Sequence, residues 1–274
     1  MARTTKKRAR QLKHDAFRDT TMGYFDRFSN RLEGKGWTIL YALAGLVALA
    51  LLFSAYSWWS ERRADRARAA LGKAIEIAEA PITTGTPALP RTGPSYPSER
   101  DRAQAAVEEF RRVQQEHGSP YSDMARYFAA TSLLALDRNQ GLQELEAVGR
   151  DGGSEVRPRA RFALAQAREA DGQYDAAAAL YQELLKDSGR SISENTLKLR
   201  LASVYEKQGK KDEAVELLFG LVEGARKAQG KDGKPLPGAE SSAVRAAADK
   251  LRELSPERHA QLPPEPDPRA LAGS

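Results

Sequence analysis

Apolar residues recur with a helical period of three to four along most of this chain, and almost nowhere with the alternation of a half-buried strand. The first departure is an unbroken apolar run. From Trp37 to Trp59 the sequence reads WTILYALAGLVALALLFSAYSWW, 23 residues without a charge. As a helix rising about 1.5 Å per residue it would cover about 34 Å, enough for a hydrocarbon core of roughly 30 Å. Trp37 and Tyr41 mark one end, and Tyr56, Trp58 and Trp59 the other, as expected of amphipathic rings at an interface. A cleaved signal peptide is not expected, because 36 residues precede the run and no small-x-small site follows it. No Pro or Gly occurs between Trp59 and Gly72, so the helix should continue, with Ala67, Leu71, Ala74, Ile75 and Ala78 on one face.

Prolines punctuate the rest. Of 14, five lie between Pro81 and Pro97, two are Pro235 and Pro237, and five lie between Pro256 and Pro268. Proline breaks helices, so 81–98 reads as an insert, 229–239 as a linker and 255–274 as a disordered tail. Between them, Ser98 should cap a helix carrying Ala103, Ala106, Val107, Phe110 and Val113, with Asp101 completing a capping-box-like start. Further helices are expected at about 121–137, 141–149, 155–171, 174–187, 193–208, 211–228 and 240–254, joined by short loops containing Gly. The expected fold class is all-α: a transmembrane helix at 37–59, then antiparallel helix pairs over 60–254.

The chain also repeats itself. An offset of 37 places Leu164 on Leu201, Ala165 on Ala202, Gly172 on Gly209, Ala177 on Ala214, Tyr181 on Leu218 and Leu184 on Leu221. This pattern resembles the tetratricopeptide repeat, L-G-x2-Y followed by A-x3-F, in which small residues let two helices approach and larger ones fill the groove between pairs. The best copy is Leu201-Ala202-x2-Tyr205 with Ala214-x3-Leu218. An earlier copy is split, Leu71-Gly72-x2-Ile75 supplying one helix and Ala106-x3-Phe110 the other, with the Pro-rich insert between them. Residues 121–149 form a degenerate copy in which Phe128, Leu145 and Val148 fit approximately. The period exceeds 34, Arg161 and Lys198 stand where the repeat has Trp, and the closing Pro is missing, so a non-repeating Ala-rich bundle is the alternative. In a tetratricopeptide-like α-solenoid each pair needs its neighbours to bury its apolar face. A last helix with Val244, Ala247 and Leu251 on one side would cap the stack.

The net charge of +6 resides in residues 1–36, which hold ten Lys/Arg against four acids, while the remainder has 33 of each. A balanced body is a poor nucleic-acid surface, and no nucleic-acid partner is expected. The tail carries Leu12, Phe17, Tyr24, Phe25, Phe28 and Leu32 among its basic residues, either to lie on anionic lipid or as a solvated helix. Ten basic residues precede the span and five follow within twenty residues, which keeps the tail cytoplasmic and places the body outside. Counted only within twenty residues of each end the tally is four against five, so the orientation rests on the whole tail.

The order of parts, basic tail, one span, then degenerate repeats over roughly residues 12–254, resembles the bacterial family of ancillary SecYEG translocon subunits. That resemblance implies a single-pass inner-membrane protein whose periplasmic repeats bind proteins near the Sec translocon, with periplasmic chaperones among the partners. In tetratricopeptide folds the first helix of each pair supplies the binding wall. Carried onto this chain, those positions are Arg159, Phe162, Gln166 and Glu169 in one repeat and Thr196, Leu199, Ser203 and Glu206 in the next. Phe162 and Leu199 would be apolar anchors and the others polar contacts.

Catalytic, cofactor and metal sites are not expected. There is no cysteine, and His14, His117 and His259 lack partners at metal-ligand spacing and should lie at the surface. Gly230-Lys-Asp-Gly233-Lys234 lacks the spacing of a phosphate loop and reads as linker. The paired carboxylates Glu108/Glu109, Glu144/Glu146 and Asp212/Glu213 read as solvated helix faces. Beside the secretory scaffold stand an envelope-assembly or cell-division coordinator built on the same repeats and, more distantly, a membrane-tethered enzyme or cytoplasmic nucleic-acid binder.

Overall fold

The computed structural model describes residues 36–83, 93–187, 191–228 and 241–265. The basic tail before residue 36, the middle of the insert (84–92), the linker and the last nine residues lie outside the described residues. The chain divides into two compact units, Met1–Asp65 and Arg66–Ser274.

In the first unit the apolar run is helical. Helix α1 extends over Gly36–Ala78, through Asp65 and on into the second unit. Along the run the described large apolar side chains are exposed, among them Leu46, Phe53 and Trp58. It is the one helix among the described residues long and apolar enough to cross a membrane.

The second unit is a succession of antiparallel helices. After the end of α1 come α2 (Glu99–Glu116), α3 (Tyr121–Leu133), α4 (Arg138–Asp151), α5 (Arg157–Ala170), α6 (Tyr174–Lys186), α7 (Glu194–Lys207), α8 (Lys211–Lys227), α9 (Ser242–Leu254) and the short α10 (Pro256–His259). From α2 onward each helix packs chiefly on its neighbours in sequence, and α9 also reaches back to α7. Ser98 caps α2 as expected: its side chain accepts the Asp101 N–H. The Pro-rich insert is closed at its base, where Thr83 N donates to the Tyr96 carbonyl at 2.9 Å and Tyr96 N to that of Pro81 at 3.1 Å.

The repeat register is visible in the burial pattern. Ala165 and Ala202 are fully buried, as are Ala177 and Ala214, and Leu164 and Leu201 are buried alongside them. Gly172 and Gly209 turn each pair at φ of 73° and 77°, the left-handed region in which glycine pays no Cβ penalty. The same positions extend further toward the N-terminus than the sequence match. Ala106, Gly141, Ala177 and Ala214 form one column of small residues, spaced 35, 36 and 37 apart. Phe110, Leu145, Tyr181 and Leu218, four residues further on, are each completely buried, and Val113, Val148, Leu184 and Leu221 follow them inward. Four pairs therefore share one packing rule, and the split first pair obeys it: Ala74, Ala106, Phe110 and Val113 share a core with Leu71 and Ile75 at its edge.

Four expectations are corrected. Residues 121–137 do not form one helix: α3 ends at Leu133, and Asp137 caps α4 by accepting the Gln140 N–H. That start comes three residues before the expected 141 because Asp137 offers a side-chain acceptor to an otherwise orphaned donor. Gly141 then lies against the preceding turn, where an added Cβ would come within 2.7 Å of the Leu134 nitrogen. Second, the disordered tail expected from 255 begins instead as a docked strap. Ser255 caps α10, and the Arg258 guanidinium pairs with both carboxylate oxygens of Glu216 at 2.8 and 3.1 Å while covering the Phe219 ring at 3.8 Å. Arg226 then donates to the Pro263 carbonyl and pairs with Glu265. Pro256 starts a helix here, as proline at the first helical position does. Third, Glu109 is not on a solvated face: Lys73 and Arg112 bracket its largely buried carboxylate at 3.0 and 2.9 Å. His259, expected at the surface, is half-buried in the strap.

The register carries a pair of opposite expectations for the thermal unfolding of the full chain in detergent. Ala214→Leu should overpack a fully closed site and cost roughly 1–3 kcal/mol. Gly220→Ala, in mid-helix with open space at its Cβ, should raise stability by about 0.5–1 kcal/mol. An unchanged melt for Ala214→Leu would mean that the register is wrong.

Candidate protein-binding face

The residues expected to bind lie on α5 and α7, the first helices of the third and fourth pairs, at matching positions 37 apart. Phe162 is half-buried. One side of its ring meets Tyr181 edge-on at 5.9 Å, and it borders the core shared by Leu197, Leu201 and Val204 of the next pair. Leu199 repeats this one pair later, bordering the core that joins α8 to Val244, Ala247 and Leu251 of α9. Both apolar anchors therefore stand at seams between successive pairs, packed on one side and partly open on the other.

The polar candidates separate into two groups. Arg159 is exposed and lies across α3, donating to the Met124 sulfur at 3.6 Å. Burial pushes the Tyr127 phenol pKa up, and the positive charge of Arg159 opposes that shift. Gln166, Thr196 and Ser203 are half-buried on the same helices. Glu169 and Glu206, in contrast, are held by the fold. Glu169 is buried; one carboxylate oxygen accepts the Tyr181 hydroxyl at 3.2 Å and the other the Lys207 ammonium at 3.0 Å. Glu206, 37 residues on, pairs with Lys250 of α9 at 2.5 Å. One repeat position thus supplies a glutamate that clamps α5 to α7 and α7 to α9. Neither carboxylate presents itself freely as a ligand contact, because each is held by a lysine from the following first helix.

The 36-residue step also identifies Arg126, the α3 counterpart of Phe162, which the sequence reading did not select. Arg126 lines a cavity of about 280 Å³ with Arg111, Gln114, Leu133 and Glu144, its guanidinium 3.8 Å from the Glu144 carboxylate. Extending the register by one more repeat would have found it. The match at 121–149, where Phe128, Leu145 and Val148 fit only approximately, was too degenerate to prompt that step. Among the described residues no cluster of His, Asp and Glu is arranged to hold a metal ion.

The tetratricopeptide repeat family matches residues 160–191 and 196–232. These stretches are the α5–α6 and α7–α8 pairs. Two solved structures of nearly identical tetratricopeptide-like repeats from a Podosopora anserina kinesin light chain, one of them a single-residue variant, are similar at 20% identity and a TM-score of 0.48. They cover 72% of this chain and 88% and 87% of their own. No curated protein matches the chain. Among the described residues the regular elements are all helices, with tetratricopeptide-like repeats following one long apolar N-terminal helix. Such repeats imply a scaffold for protein–protein interaction.

Two outcomes follow from the clamp. Glu169→Gln keeps an acceptor for Tyr181 but loses the charge that holds Lys207, and should cost about 1–2 kcal/mol in urea unfolding, since Lys207 is nearly half exposed; the cost should largely vanish in a Lys207→Met background. Burial and the neighbouring Glu169 carboxylate both raise the Tyr181 pKa well above the usual phenol value. The folded state therefore keeps a proton that the unfolded state releases above about pH 10, so stability should fall as pH rises beyond that point. Tyr181→Phe should flatten that alkaline decline; an identical slope would remove the group from the account.

Proposed function

We propose that the chain is a membrane-anchored scaffold whose repeats bind proteins in the periplasm, beside the Sec translocon and its chaperones. The observation that carries the protein-binding part is the pair of half-open apolar seams at Phe162 and Leu199, at equivalent positions of successive repeats. A partner seated there would cover apolar surface that the fold leaves partly in water, with Arg159, Gln166, Thr196 and Ser203 as flanking polar contacts.

The anchor is supported by α1. Its described large apolar side chains between Trp37 and Trp59 are exposed, and surface of that extent is stable only against a nonpolar phase. Ser57 returns its hydroxyl to the Ser54 carbonyl at 3.0 Å, internally satisfying a polar group that lipid could not. The basic residues before the span favour a cytoplasmic N-terminus and a periplasmic body. Proximity to the translocon rests on the order of parts alone and is the finest level of the proposal.

Since the chain lacks cysteine, Ser274→Cys provides a single thiol. A membrane-impermeant maleimide should label it once the outer membrane alone is opened; labelling only after inner-membrane lysis would invert the topology. Translocon or periplasmic chaperone components should copurify in mild detergent, and Phe162→Ala with Leu199→Ala should reduce that recovery at least several-fold. Recovery of envelope-assembly proteins alone would replace the secretory partner, and undiminished recovery by the double variant would remove the seams as the binding site.

A further inference from the structure

At the end of the apolar run two aromatic–cation pairs sit side by side on α1. The Arg62 guanidinium lies 3.9 Å above the Trp58 ring and that of Arg63 lies 4.4 Å above Trp59. All four side chains are exposed. Each pair is an i, i+4 step, so both stack along the helix axis at the point where the uncharged run gives way to charged residues.

A guanidinium lying flat on an indole is held in place by its face while its N–H edge remains able to fork onto two oxygens. The indoles, amphipathic and sited at the end of a membrane-length run, belong at the depth of the glycerol and headgroup region. Together they present two pre-oriented cationic forks at the height of lipid phosphates. Glu61 and Asp65 lie nearby in sequence, while Arg66 and Arg68 keep this stretch basic.

We propose that Trp58, Trp59, Arg62 and Arg63 form an anionic-phospholipid site on the side of the membrane facing the repeats, with each guanidinium taking a headgroup phosphate. The inference rests on the membrane-anchor reading. It concerns the end of the span opposite the basic tail, so lipid binding through residues 1–36 neither requires nor replaces it.

The test uses the full chain carrying Trp37→Phe, which leaves Trp58 and Trp59 as the only tryptophans. The protein is reconstituted in vesicles of phosphatidylcholine and phosphatidylglycerol, with the bromine quencher on one lipid or the other. Brominated phosphatidylglycerol should quench more strongly than brominated phosphatidylcholine at equal content. Arg62→Gln with Arg63→Gln should abolish that preference, each charge being worth up to about five-fold near an anionic surface. Arg62→Lys with Arg63→Lys, which keeps charge but loses the planar fork, should retain only part of it. Equal quenching by the two lipids, or a preference unchanged in the Gln variant, would overturn the headgroup site while leaving the anchor intact. No quenching by either lipid, with protein failing to float with the vesicles, would overturn the anchor and this inference with it.

Discussion

Close approach of paired helices at one column of small residues is the constraint on which the repeat unit depends. At Ala106, Gly141, Ala177 and Ala214 the second helix of each pair meets its neighbours with no side chain larger than a methyl group. Only that approach lets Phe110, Leu145, Tyr181 and Leu218 close completely over the groove. A single pair would leave much of this surface in water, so burial is completed by the next pair, and stability is shared along the array instead of residing in one centre. The seams follow from the same geometry. Where one pair hands its apolar face to the next, Phe162 and Leu199 are left packed on one side and partly open on the other.

Charge reinforces that stacking at a fixed repeat position. Glu169 and Glu206 each reach a lysine on the following first helix, which ties relative helix placement to the register already set by the small residues. Burial at Glu169 makes its pair more consequential than an exposed surface bridge, and the Tyr181 hydroxyl satisfies the second carboxylate oxygen. At the far end Arg258 and Arg226 fasten the strap after α9 over the last pair. The apolar surface of α8 and α9 is thereby finished by a short segment in place of another repeat.

Most of the helical architecture was legible because periodicity and small-residue spacing are local properties. The offset of 37 named Ala177 and Ala214 correctly, since only a small residue fits there, and Gly172 and Gly209 because only a left-handed turn links such closely set helices. The fold lost legibility where one residue had two meanings. Pro256 reads as a breaker until Ser255 is recognised as its cap, and Asp137 reads as helix interior until its side chain is seen to accept the Gln140 amide. The candidate face was legible only by position. Sequence placed Glu169 and Phe162 on one helix face, but it could not show that the lysine at 207, 38 residues away, would occupy the carboxylate while the phenyl ring stayed half open. Tertiary neighbours decide such matters, and the repeat motif does not encode them.

The central claim is that the seams between successive pairs are where partner proteins sit. A photo-crosslinking amino acid placed in living cells at 162 or 199, compared with the exposed second-helix positions 183 and 213, tests it most directly. Discrete protein adducts from 162 and 199, absent from 183 and 213, are the expected result. Adducts of equal yield from all four positions, or from the second-helix positions alone, would contradict it.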